Sequence, residues 1–398
     1  MPARRAIVVV IDACGVGALP DAELYGDEGS NTLLHVAEAL GGLELPTLGA
    51  LGLGSVIAVP GVPPAADPAI YGRLRPLGPG KDSTTGHWEL MGVTLEHPLP
   101  TYPGGFPPEA VERLVRAMGR EVICNLPYNG IAAIEAFGAE HLRSGALILY
   151  TSKDSVLQLA AHVEVLPAED LYRACAAARE AMSGEHAVGR IIARPFTGAE
   201  GRFERTEGRR DFALRPPTRS YLEELVEAGV EVHGVGKIGD LFTGVGVTRS
   251  HPGATNAQAL RSVEALLAEP AEGLVFVNLI DTDQVYGHRK DVPGFARALG
   301  EIDSRLGCWL ERLRAGDLLV VTADHGVDPA HPDTDHTREY APLLAVTGEM
   351  LARRAAGGRL EGFRRDGLLA DVGATVLRWL GAPDAEGLPG EAFLTGVR

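Results

Sequence analysis

The chain has 398 residues, of which 45% are hydrophobic and 23% are charged, as in ordinary globular proteins. Its 37 basic and 53 acidic residues leave a net charge of −16. This balance excludes nucleic acid as an expected partner, because binding to a phosphate backbone needs a basic surface. No apolar stretch of the sequence is long enough to cross a membrane, so we expect no membrane partner either. The length favours two domains.

The N-terminal segment superficially resembles a signal peptide, because Arg4 and Arg5 precede the apolar run AIVVVI. That run stops at Asp12, which is too early for a signal core, and it favours a buried first strand over residues 6–11. The four cysteines are scattered and form no C-x-x-C pair, which is typical of reduced thiols. We therefore expect a cytoplasmic protein.

Strands and helices alternate along the two outer parts of the chain. Continuous apolar, β-branched runs predict strands buried on both faces, and the stretches between them have helical periodicity. This alternation predicts an α/β fold with a mainly parallel sheet covered by helices on both faces. In chain order the predicted elements are strand 6–11, helix 31–40, helix 221–227, helix 256–267, strand 274–280, helix 292–313 and strand 318–322.

The middle of the chain is predicted to form a separate, smaller α/β domain. The Pro/Gly-rich segment TYPGGFPPEA, beginning at Thr101, predicts a linker that leads into a helix. Strand-like 146–150, helix-like 171–182 and strand-like 188–193 follow, and RRDFALRPPTRS predicts a return linker. We therefore expect a core of residues 1–100 and 218–398, with residues 101–217 inserted into it as a cap.

Aspartates follow each of the three buried strands of the core, at Asp12, Asp281 and Asp324. Ligands of open α/β sheets bind at the carboxyl ends of the strands, so these side chains fall where a site is expected. Histidines accompany them: His325 is adjacent to Asp324, and His336 follows in the same loop region. Such a set, spread over distant segments, has the composition of a two-metal site for phosphoryl or sulfuryl transfer.

Asp283 and His288 lie five residues apart in NLIDTDQVYGHR, which suits two ligands from one loop. We therefore prefer Asp283 to Asp281 as a ligand and expect Asp281 beside the ligands. Aspartate and histidine suit Mn²⁺, Zn²⁺ or Mg²⁺, and without thiolates a structural zinc site is disfavoured.

The segment GPGKDSTTGHWELMG places a hydroxyl directly after the carboxylate of Asp82. A hydroxyl becomes a useful nucleophile when a metal activates it, and a helix N-terminus favours the phosphate that results. Ser83, Thr84 and Thr85 are all candidates on this reasoning, and a simple helix N-cap is the alternative role of the segment.

The order of several motifs resembles bacterial phosphopentomutases, a family of the alkaline phosphatase superfamily. The likeness runs nearly from end to end and rests on the segments VVVIDACGVGALPDAE, GKDSTTGHWE, YTSKDSVLQLAAH, VGRIIARPF, NLIDTDQVYGHRKD and TADHGVDPAHPDTDHTREYAPLLA.

The resemblance implies an alkaline-phosphatase-like core with an inserted cap and two Mn²⁺ ions. It implies that Asp12, Asp324 and His325 hold one ion, and that the other is held by Asp283, His288 and His336. It also implies a phosphorylated residue at Ser83, where the family usually has threonine.

The resemblance further implies substrate-binding residues, which are Ser152, Asp154, Arg190, Arg205 and Lys237. Charge in this part of the cap agrees, because six arginines and only three glutamates fall between residues 190 and 210. Arginine binds phosphate through two parallel hydrogen bonds, which suits a sugar phosphate.

The implied activity is that of an isomerase, an intramolecular phosphotransferase. It interconverts ribose 1-phosphate and ribose 5-phosphate, and the 2-deoxyribose analogues, through a 1,5-bisphosphate. Glucose 1,6-bisphosphate or a pentose 1,5-bisphosphate is the implied activator, and the cap would exclude water. Two alternatives stay open: a metal-dependent phosphatase or phosphoglycerate-type mutase of the same superfamily, and a non-catalytic protein that binds sugar phosphate or metal.

Overall fold

The computed structural model describes residues 4–152, 155–269 and 272–394. The chain divides into two compact units. The core unit consists of Met1–Glu96 and Pro216–Arg398, and the inserted unit consists of His97–Arg215. The boundaries therefore lie at residues 96 and 215, where the sequence predicted 100 and 217.

The strands of both units, numbered in chain order, are β1 (Arg5–Ile11), β2 (Ile70–Arg75), β3 (Val122–Pro127), β4 (Leu147–Thr151), β5 (Val156–His162), β6 (Arg190–Ala199), β7 (Arg202–Arg205), β8 (Arg210–Ala213), β9 (Val232–Val235), β10 (Arg249–His251), β11 (Gly273–Leu279), β12 (Asp317–Thr322), β13 (Ala341–Thr347) and β14 (Gly367–Leu368).

The α-helices are α1 (Thr32–Leu40), α2 (Pro46–Leu51), α3 (Leu53–Val56), α4 (Ser83–Leu90), α5 (Pro108–Met118), α6 (Gly130–Ser144), α7 (Ala168–Ala181), α8 (Tyr221–Glu227), α9 (Ile238–Leu241), α10 (Asn256–Ala268), α11 (Val292–Leu310), α12 (Gly348–Ala355) and α13 (Ala370–Trp379). Short 3₁₀ turns span Ala22–Tyr25, Gly184–His186 and Gly287–Arg289, and a π-helical turn spans Thr282–Tyr286.

The core unit is built on an eight-stranded sheet with the order β10-β9-β11-β1-β12-β13-β2-β14. Strand β1 pairs in parallel with β11 on one side and with β12 on the other, so that Val10 lies opposite both Asn278 and Thr322. Strand β13 pairs antiparallel with both of its neighbours, β12 and β2. The carboxyl ends of β11, β1 and β12 therefore lie side by side at one edge of the sheet.

Every residue of β1, β11, β12 and β13 is buried. Successive side chains of a strand point to opposite faces, so both faces of the sheet are covered. Helix α10 packs against β11 and β9, α12 packs against β12 and β13, and α2 and α3 pack against β13. The predicted α/β architecture, a mainly parallel sheet between layers of helices, is confirmed.

The inserted unit has its own six-stranded mixed sheet, ordered β3-β4-β5-β6-β7, with β8 pairing on β6. One apolar cluster on this sheet includes Leu114 of α5, Leu171 of α7 and Leu149 of β4. A second cluster includes Ile134 of α6 and Phe196 of β6. The inserted unit therefore has its own core.

Several predicted elements differ from the structure. The helix predicted over 171–182 begins earlier, at Ala168, and the strand predicted over 188–193 extends to Ala199. Residues 210–213, which were predicted as part of a return linker, form strand β8, which pairs antiparallel with β6. Phe212 of β8 packs against an apolar cluster of the inserted unit, and that tertiary contact is not visible in a short charged segment. The last core helix before β12 was predicted to end at residue 313 and ends at Leu310. Among the described residues, no helix has both the length and the apolar content needed to span a bilayer.

Candidate metal centre

The aspartates at the carboxyl edge of the core sheet converge, as the strand order requires. Asp12 directly follows β1, Asp324 lies two residues after β12, and Asp283 lies in the π-helical turn after β11. All three carboxylates are buried, with at most 7% of each residue exposed. Burying several carboxylates together is costly unless a cation compensates their charge.

Asp12, Asp324 and His325 form a first group, in which one ligand atom from each residue lies within 4.8 Å of the others. His325 Nε2 is 3.4 Å from Asp12 Oδ1 and 3.4 Å from Asp324 Oδ2. Ala13, next to Asp12, adopts a left-handed backbone with φ of 61°, and its N–H donates to Asp324 Oδ1 at 3.1 Å. The turn after β1 thereby fixes one carboxylate relative to the other.

Asp283, His288 and His336 form a second group within the same 4.8 Å limit. Asp283 Oδ1 lies 3.4 Å from His288 Nε2 and 3.3 Å from His336 Nε2. This group is more open, because 40% of the His288 side chain is exposed. The rings of His336 and His325 have centroids 4.1 Å apart, so the two groups are neighbours.

Hydrogen bonds fix the tautomers of two histidines. Nδ1 of His325 donates to the Gly326 carbonyl at 3.0 Å, and Nδ1 of His288 donates to the Thr334 carbonyl at 2.7 Å. In the neutral ring, each Nε2 therefore carries the lone pair that binds a metal ion. Metal-binding histidines are commonly oriented in this way by a donated ring N–H.

Three buried ligand atoms have no hydrogen-bond partner among the described residues: Asp324 Oδ2, Asp283 Oδ1 and His336 Nε2. Buried polar atoms are normally satisfied, so three such atoms in two adjacent groups fit the binding of cations. Aspartate and imidazole donors fit Mn²⁺, Zn²⁺ or Mg²⁺. The residues present therefore fit two divalent metal ions.

The carboxylates affect one another. Burial raises the pKa of Asp12, and the negative charge of Asp324 raises it further. Burial also acts to raise the pKa of Asp324, but His325 and His87 outweigh it and hold that pKa below its usual value. A divalent cation would stabilise the ionised form of both groups.

Ser83 is the first residue of α4, which Asp82 caps by accepting hydrogen bonds from the N–H groups of Thr84 and Thr85. The Ser83 hydroxyl donates to Asp12 Oδ1 at 3.2 Å, and its Oγ lies 3.2 Å from His325 Nε2. Thr85 instead donates its hydroxyl to Asp82 Oδ2 at 2.7 Å. Of the three hydroxyls, that of Ser83 contacts the first ligand group.

A polar network holds the loop before Ser83. Arg338 is buried, and its Nη1 donates to the Gly80 carbonyl at 2.6 Å while its Nη2 bonds Asp21 at 2.9 Å. Lys81 Nζ donates to Asp27 Oδ2 at 3.0 Å. These residues could not be singled out from the sequence, because nothing in their local pattern differs from ordinary surface charge.

Two further polar residues of the centre were not predicted from the sequence. Asn278 lies in the buried strand β11, and its Nδ2 donates to Asp12 Oδ2 at 2.7 Å and to His87 Nε2 at 3.2 Å. His87 lies in α4, and its Nδ1 is 3.1 Å from Asp324 Oδ2. The available signal was the single polar residue at the end of the apolar run GLVFVN.

Asp281 belongs to neither ligand group. Its Oδ2 accepts from the N–H of Asn256, and its own N–H donates to the side chain of Asn256, both at 3.0 Å. It thus joins the end of β11 to the start of α10.

The residues predicted to bind substrate lie in both units. Ser152 follows β4, and Arg190 begins β6, where its N–H donates to Ser155 O at 3.2 Å. Arg205 ends β7, and its guanidinium lies against Gly130. Asp154 lies outside the described residues. Lys237 belongs to the core unit, and its Nζ donates at 2.7 Å to Gln284, the neighbour of Asp283.

Comparisons with known proteins show the family of the chain. The family described as Metalloenzyme superfamily matches residues 4–384. A phosphopentomutase from Carboxydothermus hydrogenoformans is 49% identical over 374 residues, which are 94% of this chain and 95% of that protein. A phosphopentomutase from Anaeromyxobacter sp. strain K is 51% identical over 380 residues, which are 95% and 96% of the two chains. The chain belongs to the phosphopentomutase family.

Membership of the phosphopentomutase family makes the protein an enzyme, an isomerase of the phosphotransferase type. Among solved structures, a phosphoglycerate mutase from Leishmania mexicana is similar at 14% identity, with a TM-score of 0.49, over 98% of this chain and 97% of that one.

Proposed function

We propose that the enzyme interconverts ribose 1-phosphate and ribose 5-phosphate, and the 2-deoxyribose analogues, through a phosphorylated Ser83 and a 1,5-bisphosphate. The observation that carries the proposal is the contact of the Ser83 hydroxyl with Asp12 and His325, 3.2 Å from each, at the N-terminus of α4. Family membership supports the choice of pentose phosphates as substrates.

In the proposed reaction, phosphoserine 83 donates its phosphoryl group to the free hydroxyl of a pentose monophosphate. The P–O bond to Ser83 breaks as the bond to the sugar oxygen forms, and the proton lost by the sugar hydroxyl is balanced by one that the Ser83 oxygen takes up. The bisphosphate then returns its other phosphoryl group to Ser83, which leaves the isomeric monophosphate.

Two divalent cations are proposed, one at Asp12, Asp324 and His325 and one at Asp283, His288 and His336, and Mn²⁺ is the proposed metal. When bound, such ions stabilise charge on a transferring phosphoryl group and lower the pKa of a nucleophilic oxygen. The orphaned acceptor atoms of both groups support two ions. Glucose 1,6-bisphosphate or a pentose 1,5-bisphosphate is the proposed source of the first phosphoryl group on Ser83.

Recognition of the sugar phosphate is proposed for Ser152, Asp154, Arg190, Arg205 and Lys237. The cytoplasm is the proposed compartment, which suits the four unpaired cysteines, and neither nucleic acid nor a membrane is a proposed partner.

A coupled assay for conversion of ribose 1-phosphate, with and without Mn²⁺ and glucose 1,6-bisphosphate, tests the proposal. We expect conversion that needs the metal and is increased by the bisphosphate, and we expect no matching release of inorganic phosphate. Phosphate release at the rate of substrate loss would show a phosphatase instead. Absence of any turnover, with metal bound, would favour a binding protein.

The nucleophile is tested by a matched pair of variants, Ser83→Ala and Thr84→Ala. The first removes the hydroxyl that contacts Asp12, and we expect turnover to be lost while Mn²⁺ still binds. Thr84 is the adjacent half-buried hydroxyl, and its replacement should leave most of the activity. Peptide mass mapping after incubation with the bisphosphate should find phosphate on Ser83; phosphate on Thr84 or Thr85 would refute the assignment.

A further inference from the structure

A single amide interrupts the apolar strand β11. Asn278 is fully buried, and its Oδ1 has no hydrogen-bond partner among the described residues. Burying an unpaired amide oxygen costs free energy, so a purely structural strand would favour an apolar side chain at this position. Both recorded hydrogen bonds of the side chain are donated by Nδ2, to Asp12 and to His87. We infer that the position requires these two donors.

The contact with Asn278 determines the tautomer of His87. Because Nε2 of His87 accepts from the amide, Nδ1 carries the ring proton. That proton is directed to the carbonyl oxygen of Ser83, at 2.8 Å, and Asp324 Oδ2 lies 3.1 Å from the same nitrogen. The amide orientation is unambiguous, because the opposite one would place the Asn278 oxygen against the carboxylate of Asp12.

We propose that Asn278 and His87 form a positioning bridge for the first metal group and the nucleophile. The bridge is the series of contacts from Asp12 through Asn278 and His87 to Asp324 and to the backbone of Ser83. The inference rests on the proposed function, because it assigns the bridge a role in that metal site.

Of the two ligand groups, the bridge contacts the first, through Asp12 and Asp324. Its loss should therefore affect one metal site and not the other. The second group has a separate support, the donation from His288 Nδ1 to the Thr334 carbonyl. Groups that orient metal ligands typically change metal affinity about 10-fold to 100-fold when they are removed. A loss confined to one of two ions would therefore distinguish positioning from a general loss of stability.

Calorimetric titration of the metal-depleted, full-length protein with Mn²⁺ tests the bridge. The variants are Asn278→Leu, His87→Leu and the double replacement. We expect each single variant to weaken one Mn²⁺ site about 10-fold to 100-fold and to leave the other unchanged. Both residues act through one series of contacts. The Mn²⁺ affinity of the double variant should therefore be at most about threefold below that of the single variant that binds more weakly.

Conservative and matched variants complete the experiment. His87→Gln retains an acceptor for Asn278 and should recover part of the affinity that His87→Leu loses. His141→Leu is the matched control, because His141 is a fully buried histidine that donates to the Ala146 carbonyl in the inserted unit. It should leave both Mn²⁺ affinities unchanged. If a leucine variant does not fold, Asn278→Ser and His87→Gln provide the same comparison.

Unchanged Mn²⁺ affinity in folded variants would overturn the bridge. An equal loss of affinity at both Mn²⁺ sites would also overturn it, and so would a double variant whose loss of affinity is the product of the two single losses. These outcomes differ from failure of the proposed function. If the wild-type protein itself binds no Mn²⁺, the proposed two-metal function fails. If the wild-type protein binds two ions and Asn278→Leu binds them equally well, only the bridge fails.

Discussion

Arg338 donates a hydrogen bond from Nη1 to the carbonyl oxygen of Gly80, 2.6 Å away and three residues before Ser83. The same guanidinium bonds the carboxylate of Asp21 and lies over the ring of Tyr25, 5.0 Å from its centroid. A buried arginine therefore fixes the path of the chain into α4. The hydroxyl at the helix start depends on this path for its position.

Replacement of Arg338 by methionine should reduce turnover while both metal groups remain intact. Small displacements of a reacting group can cost on the order of 100-fold in rate, so we expect a fall in kcat of about 10-fold to 100-fold. Steady-state kinetics with saturating Mn²⁺ would measure it. Arg219→Met is the control, because Arg219 is more exposed and forms its ion pairs with Glu224 and Glu227. An equal fall in kcat in Arg338→Met and Arg219→Met would contradict the role of Arg338.

Gly86 allows α4 to approach Asp324 closely. A Cβ atom at this position would lie 2.6 Å from the Asp324 carbonyl oxygen and 2.7 Å from its Cβ. Gly86→Ala should therefore displace the helix or the ligand, lower Mn²⁺ affinity and destabilise the protein by about 1–3 kcal/mol. Calorimetry and urea unfolding would measure the two effects.

Gly300→Ala is the control for this substitution. Gly300 also lies in a helix, α11, but no atom lies within 4 Å of an added Cβ. Alanine should there stabilise the protein by about 0.5–1 kcal/mol, because glycine loses more backbone entropy on folding. If Gly86→Ala stabilised the protein as Gly300→Ala does, α4 would accommodate the added Cβ, and the prediction for Gly86 would be wrong.

The effect of Asp12→Asn should reverse when metal is added. In the metal-free protein the substitution removes a buried negative charge beside Asp324, which should raise the free energy of unfolding on the order of 1 kcal/mol. With Mn²⁺ at about 100 times its Kd, the wild-type protein should gain about 2.7 kcal/mol, and the variant should gain less. Thermal unfolding with and without Mn²⁺ would measure both.

Asp303→Asn provides the comparison for a buried aspartate outside the centre. Asp303 accepts hydrogen bonds from the N–H groups of Thr47 and Leu48, so its neutralisation should destabilise the protein with and without metal. Destabilisation of metal-free Asp12→Asn to the same extent would contradict the charge argument.

Thiol reactivity should differ sharply between the cysteines. Burial raises the pKa of Cys14 to about 12, and nearby carboxylates act in the same direction. Only the thiolate reacts, and at pH 8 on the order of one Cys14 in ten thousand would be ionised. A maleimide should therefore label the exposed Cys308 first and leave Cys14 unmodified in the folded protein. Peptide mass mapping would identify the labelled residue, and early labelling of Cys14 would contradict the prediction.

The strand-end aspartates made the location of the site predictable. Strands β1 and β12 are continuous apolar runs, and parallel strands bring their carboxyl ends to one edge, so Asp12 and Asp324 could be placed together. Family resemblance then indicated which histidine joins which aspartate. Spacing alone could not choose among Ser83, Thr84 and Thr85, because the choice depends on which side of a helix start faces the carboxylates.

The supporting residues could not be predicted in the same way. Asn278 and His87 are far apart in sequence, and they meet because β11 and α4 pack on the same edge of the sheet. Arg338 resembles an ordinary charged residue until its burial is known. The strand β8 was missed for a similar reason, since its pairing with β6 and the packing of Phe212 are tertiary.

The insertion between Glu96 and Pro216 has a consequence for how the chain folds during synthesis. The central strand β1 leaves the ribosome early, but both of its neighbours, β11 and β12, lie in the last third of the chain. The inserted unit is continuous and has local partners, so we expect it to fold first. The metal centre can then form only when translation is nearly complete, which delays metal capture until the scaffold around it is present.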